Sequence, residues 1–213
     1  MSTLAANQSG AEPAPRAAGA REASPLDTVA VGLRVFIVSL TMLFGGLLYA
    51  YFVARTGRWD HDVKSAAGVG HIAVPVWFWF STFVILVSSL MLYGALRTAC
   101  IARAAASAKW LQSAALLGFV FLALQVPGFA QLIARHRALA AGHVYIYGII
   151  IVIAALHALH VLGGLVPLTR LAARAAGFAD PARLERAVRH MGTYWHFLAI
   201  VWWAIFTVIV LAG

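Results

Sequence analysis

The sequence predicts an all-α fold: a polytopic membrane helix bundle of five transmembrane helices, N-in and C-out. Three observations carry that prediction. The 213 residues are 62% hydrophobic and 11% charged, where soluble domains carry about 25% charged residues, and the mean hydropathy is +0.86. Five apolar stretches each reach the roughly 20 residues that cross about 30 Å of hydrocarbon. Lys and Arg sit at the ends of these stretches, while the 7 carboxylates (Glu12, Glu22, Asp27, Asp60, Asp62, Asp180 and Glu185) all lie outside them.

Residues 1–30 read as a disordered cytoplasmic tail, rich in Ala, Pro, Ser, Gly and Arg. They lack the apolar core of about 7–15 residues that a cleaved signal needs. Residues 31–213 then form one transmembrane domain without internal repeats. Its first span covers 31–54, entered by Arg34 and closed by Arg55. The second covers 76–96, with Pro75 at the helix start and Arg97 as its stop. Lys109 and Arg135 bound the third, at 110–133. The fourth covers 143–168, ahead of Arg170, and the fifth covers 190–211. Pro127-Gly128 reads as a kink or, better, an early exit of the third span, because Gln131 and Arg135 follow.

Orientation follows from Lys and Arg alone. One side holds Arg16, Arg21, Arg34, Arg97, Arg103, Lys109, Arg170, Arg174, Arg183, Arg186 and Arg189. The other holds Arg55, Arg58, Lys64, Arg135 and Arg137. The richer side is the cytoplasmic one. The net charge of +9 is explained by this placement, so it requires no nucleic acid as partner.

Asp180-Pro181 forms an N-cap and first-turn pair, so a short helix is expected from Pro181 towards His190. Its Arg183, Arg186 and Arg189 could lie against anionic headgroups; a basic connecting loop is the equal alternative. Trp77, Trp79, Trp110, Tyr145 and Tyr147 sit near span starts as interfacial anchors. Trp202 and Trp203 fall near mid-membrane, facing neighbouring helices or lipid tails.

Polar groups inside a bilayer are costly, and His157, His160 and His196 are the ones that stand out. His157 and His160, three apart, share a helix face. Two readings compete. The imidazoles could ligate a metal or a haem, with His196 as the partner on another helix. Alternatively they hydrogen-bond across helix interfaces and specify packing, and the lack of a fourth His or Cys to complete a metal set favours this. Cys100 is the only cysteine, which excludes a disulfide framework and a thiolate cluster. The absence of intramembrane carboxylates argues against a proton pump, and the lack of paired interrupted helices argues against a secondary transporter. Ser88, Ser89, Gly94, Gly163 and Gly164 are small residues suited to close helix contact. There is no nucleotide-binding loop and no nucleophile–base–orienter set, hence no catalytic residue to name.

The motifs, taken together, resemble one family. Residues 194–202, YWHFLAIVW, resemble the YWHFVDVVW signature of cytochrome c oxidase subunit III. Residues 156–164, LHALHVLGG, are similar to that family's FHGLHVxxG. Residues 39–52, SLTMLFGGLLYAYF, resemble SEVMxFxxLFxAYF, and 79–89, WFSTFVILVSS, follow LWLNTxxLLxSS. Trp110, Leu111, Gly118, Phe121 and Gln125 keep the family rhythm in the third span. Each match is weak alone, but their order through all five spans is specific.

The resemblance implies a non-catalytic subunit III of a haem–copper oxidase, in the short five-span bacterial form, in the cell inner membrane. It would pack beside subunit I and near subunit II, with haem and copper in those partners, no cofactor of its own and phospholipid bound. Assembly, stability and sustained proton uptake of the catalytic subunit are the associated roles. His157, His160, Trp195, His196 and Trp202 become packing and hydrogen-bonding residues rather than metal ligands, with His160 expected to bond across helices. Two departures limit the carry-over: Leu40 stands at the family's buried Glu and Ala199 at its Asp. A proton-exchanging role for those carboxylates therefore does not transfer. Subunit III of a quinol oxidase, or a related protein of a nitric oxide reductase system, shares the pattern; a stand-alone bis-His haem membrane protein is the more remote alternative.

Overall fold

The computed structural model describes residues 25–55, 74–138 and 144–212. The N-terminal stretch to residue 24, Arg58, Lys64 and His143 lie outside the described residues, as do the side chains of Arg55, Arg135, Tyr145 and Tyr147. Among the described residues the chain forms α1 (Pro25–Arg55), α2 (Val76–Cys100), α3 (Ala104–Ala138), α4 (Val144–Arg174) and α5 (Pro181–Ala212), with a short 3-10 turn at Ala175–Gly177. All five are long and apolar enough to cross a membrane. The chain is a five-helix polytopic membrane bundle.

Most helices extend past the expected spans. α1 begins at Pro25, within the stretch expected as tail, with proline at the first helical position. Asp180 caps α5 as expected, its Oδ1 accepting the Ala182 N–H at 2.9 Å. The helix starting at Pro181 is not a separate short element, however. It runs unbroken into the fifth span for 32 residues, about 48 Å at about 1.5 Å per residue.

Pro127 does not mark the expected early exit: α3 continues through it to Ala138. Membrane helices tolerate an interior proline because neighbouring helices and local adjustment re-satisfy the freed backbone groups. Gly128 serves close approach instead. A methyl there would stand 2.3 Å from Phe78 Cε1 of α2, nearer than packing allows.

α2 and α3 pack as an antiparallel pair joined by a tight turn. Arg103 N–H donates to Thr98 O and Ala102 N–H to Ala99 O, both at 3.0 Å, which is the paired-bond helix stop that places its pivot residue in the left-handed region. The pivot here is Ala102, at φ 56°. The first turn of α3 then anchors back on α2 through Ser107 Oγ to Ala95 O at 3.0 Å. α4 packs on α3, and α5 closes against α2 and α4. α1 lies outermost, against α4 and α5, and presents Val35, Met42 and Tyr49 outward. In lipid such a face needs no cover, because acyl tails are as apolar as leucine.

Candidate functional site

The polar interior is built mainly between α2 and α5. On α2, Ser81/Thr82 and Ser88/Ser89 recur seven residues apart; on α5, Trp195/His196 and Trp202 do the same. The helices bring these sets into register. Trp202 Nε1 donates to Thr82 Oγ1 at 2.9 Å, and Trp195 Nε1 donates to Ser88 Oγ at 3.1 Å. Ser88 passes its own hydrogen to Ala114 O on α3 at 2.8 Å. Ser89 and His196 Nδ1 share a hydrogen bond. Both indoles are fully buried, so each N–H would be orphaned in an apolar interior without its hydroxyl.

Gly118 admits Trp195. A methyl at Gly118 would lie 2.8 Å from Leu165 and 2.9 Å from the indole. Trp202 is enclosed by rings from three other helices: Phe78 at 5.6 Å, Phe121 at 5.4 Å and His157 at 5.4 Å between centroids. The two mid-membrane tryptophans thus divide their roles. Trp202 fills the bundle and Trp203 faces outward.

The histidines do not act as one group. His196 is half-buried and turned to α2. His160 has a ring hydrogen bond that stays within its own helix, from Nδ1 to Leu156 O at 2.7 Å, rather than crossing to another. Its main-chain carbonyl does cross, accepting the Tyr194 hydroxyl at 3.0 Å. His157 is fully buried among Phe44, Phe121 and Trp202, and neither ring nitrogen meets a protein partner. Those rings lie 5.4 to 6.1 Å away between centroids. Among the described residues, no three of His, Cys, Asp and Glu are grouped to hold a metal. Leu40 and Ala199 are both buried, each 4% exposed, so the interior is apolar where the resembling family has carboxylates.

A second feature escaped the sequence: a groove of about 1030 Å³ between α1, α4 and α5. Leu33 and Phe36 form one wall and Leu159 and Pro167 the other, with Arg186 and His190 at one end. The three α5 arginines are not equivalent. Arg183 and Arg186 both line the groove; Arg183 pairs with Asp180 at 3.4 Å and Arg189 with Glu185, while the buried Nε of Arg186 meets no partner among the described residues. Gly163 and Gly164 also differ. Gly164 admits Tyr194, whose ring would lie 2.6 Å from an added methyl, whereas Gly163 opens on the groove. The seven-residue spacings on α2 and α5 are present in the sequence, but their pairing, like the groove that sets α1 against α4 and α5, comes only from the packing of the helices.

No family model matches the chain, but individual proteins do. It is 31% identical over 186 residues to a protein of Mycobacterium leprae named probable cytochrome c oxidase subunit 3, covering 85% of this chain and 86% of that one. A protein of Nocardia farcinica with the same name is 30% identical over 186 residues, with the same coverage. The cytochrome bo(3) ubiquinol oxidase subunit 3 of Pseudomonas aeruginosa is 25% identical over 182 residues, covering 85% of this chain and 84% of that one. With that identity sustained along nearly the whole of both chains, and five apolar helices in place, the chain belongs to the cytochrome c oxidase subunit 3 family.

Proposed function

We propose that the chain is the non-catalytic subunit III of a haem–copper oxidase in a bacterial inner membrane, oriented N-in and C-out by its Lys and Arg asymmetry. It packs beside subunit I and near subunit II, which carry the haem and copper, and it supports assembly and stability of the complex. The observation that carries this reading is the interior itself. The polar side chains at the α2–α5 contact are committed to interhelical hydrogen bonds, and apolar Leu40 and Ala199 occupy the places of the carboxylates in the resembling motifs. Such an interior holds helices together and offers no group for carboxylate-mediated proton exchange.

The groove supplies the lipid side of the role. Its walls suit acyl chains, and Arg186 with His190 suits a phosphate at one end. We place a bound phospholipid there.

The test is mild-detergent purification of the tagged chain, with an absorption spectrum and lipid analysis of the eluate. Copurification of a large multi-span subunit with haem and copper supports the reading; a chain that elutes alone and colourless overturns it. Deletion of the chain should lower the yield or turnover lifetime of the oxidase. The similarity to a ubiquinol oxidase subunit favours one second reading, the same role in a quinol oxidase. A copper-binding domain on the neighbouring subunit II would point to cytochrome c as donor, and a subunit II without copper to quinol.

A further inference from the structure

Of the buried polar side chains Ser81, Thr82, Ser88, Ser107, Gln125 and His157, the four hydroxyls all find protein partners. The remaining two do so incompletely. Gln125 Nε2 donates to Ser81 Oγ at 3.2 Å, but its Oε1 meets no protein partner. His157 meets none at either ring nitrogen. Orphaned groups at membrane depth cost several kcal/mol each, so a persistent pair of them calls for a ligand.

The orientation of Gln125 is set by its neighbours. Ser81 spends its hydrogen on Phe78 O at 3.1 Å, so its oxygen must accept, and the nitrogen of the carboxamide has to face it. That leaves an acceptor, Oε1, on the other side. His157, in either neutral tautomer, offers one N–H donor. Phe121 links the two positions. It lies one turn before Gln125 on α3, and its ring sits 6.1 Å from that of His157 on α4.

We infer that an internal water molecule joins His157 to Gln125, accepting the ring N–H and donating to the carboxamide oxygen. Water is the smallest species that both accepts and donates, and buried waters occur where otherwise unsatisfied polar groups converge. The surrounding Phe44, Phe121 and Trp202 rings bring no formal charge to retain an ion. The bridge completes a polar chain through three helices: His157 to water to Gln125, then Ser81 and Phe78 O. Trp202 and Thr82 reach the same carbonyl from α5, with Thr82 Oγ1 donating to it at 2.7 Å. All four inner helices then converge on one backbone oxygen of α2.

The experiment is solid-state NMR of the full chain, labelled with 15N at His and Trp, in phospholipid bilayers. Magnetisation transfer is followed from water protons to the side-chain N–H groups. The resonances of His157 and Trp195 are assigned by their loss in His157→Phe and Trp195→Phe. Trp195 sets the dry baseline, since its buried N–H bonds directly to Ser88. The His157 N–H should build up several-fold faster than Trp195 and fall to the Trp195 rate in Gln125→Met. A wild-type His157 signal no faster than Trp195 overturns the water, whether or not the Gln125 variant folds. Fast transfer that persists in a folded Gln125→Met overturns the bridge to Gln125.

Discussion

Trp202 and Thr82 lie 120 residues apart in the chain and 2.9 Å apart in the bundle. The hydroxyl that accepts the indole hydrogen also donates its own to the Phe78 carbonyl at 2.7 Å. One threonine therefore ties α5 to α2 without leaving either group unsatisfied. That arrangement makes the pair measurable. Trp202→Phe removes the interhelical bond while Thr82 keeps its own acceptor. The bond term should be about 0.6 kcal/mol and at most about 1.7. Trp202→Ala adds a cavity and should cost about 3–5 kcal/mol. Unfolding in detergent, run as a double-mutant cycle with Thr82→Val, checks both. Additive losses would show that the pair is uncoupled.

Ala102 should be improvable. It occupies the left-handed pivot that ends α2, at φ 56°, a conformation that costs a residue with a Cβ about 1–2 kcal/mol. Ala102→Gly is expected to stabilise the chain by up to about 1 kcal/mol after the glycine's greater unfolded-state entropy is subtracted. Ala102→Val should destabilise it. The melting temperatures of the three proteins in one detergent give the order directly.

Gly128 should be intolerant where Gly45 is not. A methyl at Gly128 meets the Phe78 ring at 2.3 Å, whereas one at Gly45 meets nothing within 4 Å. Gly128→Ala is expected to cost about 1–3 kcal/mol by overpacking, and Gly45→Ala to be neutral or better. Equal behaviour of the two variants in a thermal melt would argue against close contact of α3 with α2 at this point.

His160 and His196 should respond differently to leucine. The ring bond of His160 is internal to its helix, and the bond it receives from Tyr194 goes to the main chain, which the substitution leaves in place. His160→Leu should therefore leave retention of the chain in its complex nearly unchanged. His196→Leu breaks the contact with Ser89 and should weaken it. Copurified partner per tagged chain is the measurement.

Arg186 should matter more for lipid than Arg183. Both line the groove, but Arg183 is exposed and paired with Asp180, while Arg186 is more buried and has no acidic partner among the described residues. Native mass spectrometry of Arg186→Ala should show loss of retained phospholipid relative to wild type. Arg183→Ala should retain it.

The class of the molecule could be read directly because a bilayer imposes a one-dimensional rule. Any chain segment crossing hydrocarbon must satisfy its own backbone and carry about 20 apolar side chains. The motifs at 39–52, 79–89, 156–164 and 194–202 also pointed to the family in which its relatives place it. What local sequence could not tell was the behaviour of single residues. Pro127 reads as a stop, yet it stays helical between packed neighbours, and Pro181 starts one long helix rather than a short one. His160 reads as an interhelical donor, yet its ring turns back to its own helix.

By itself, then, the sequence determined the five-helix membrane class and the family, since both depend on composition and motif order along the chain. Only the tertiary structure decided that Trp202 is enclosed while Trp203 faces outward, that Arg183 and Arg186 but not Arg189 line a groove, and that His157 is buried without a protein partner. The physical reason is the same in each case. Which face of a helix a residue occupies follows from its position along the chain, but what that face meets depends on the rotation and neighbours of the whole helix, which are set by contacts between residues far apart in sequence.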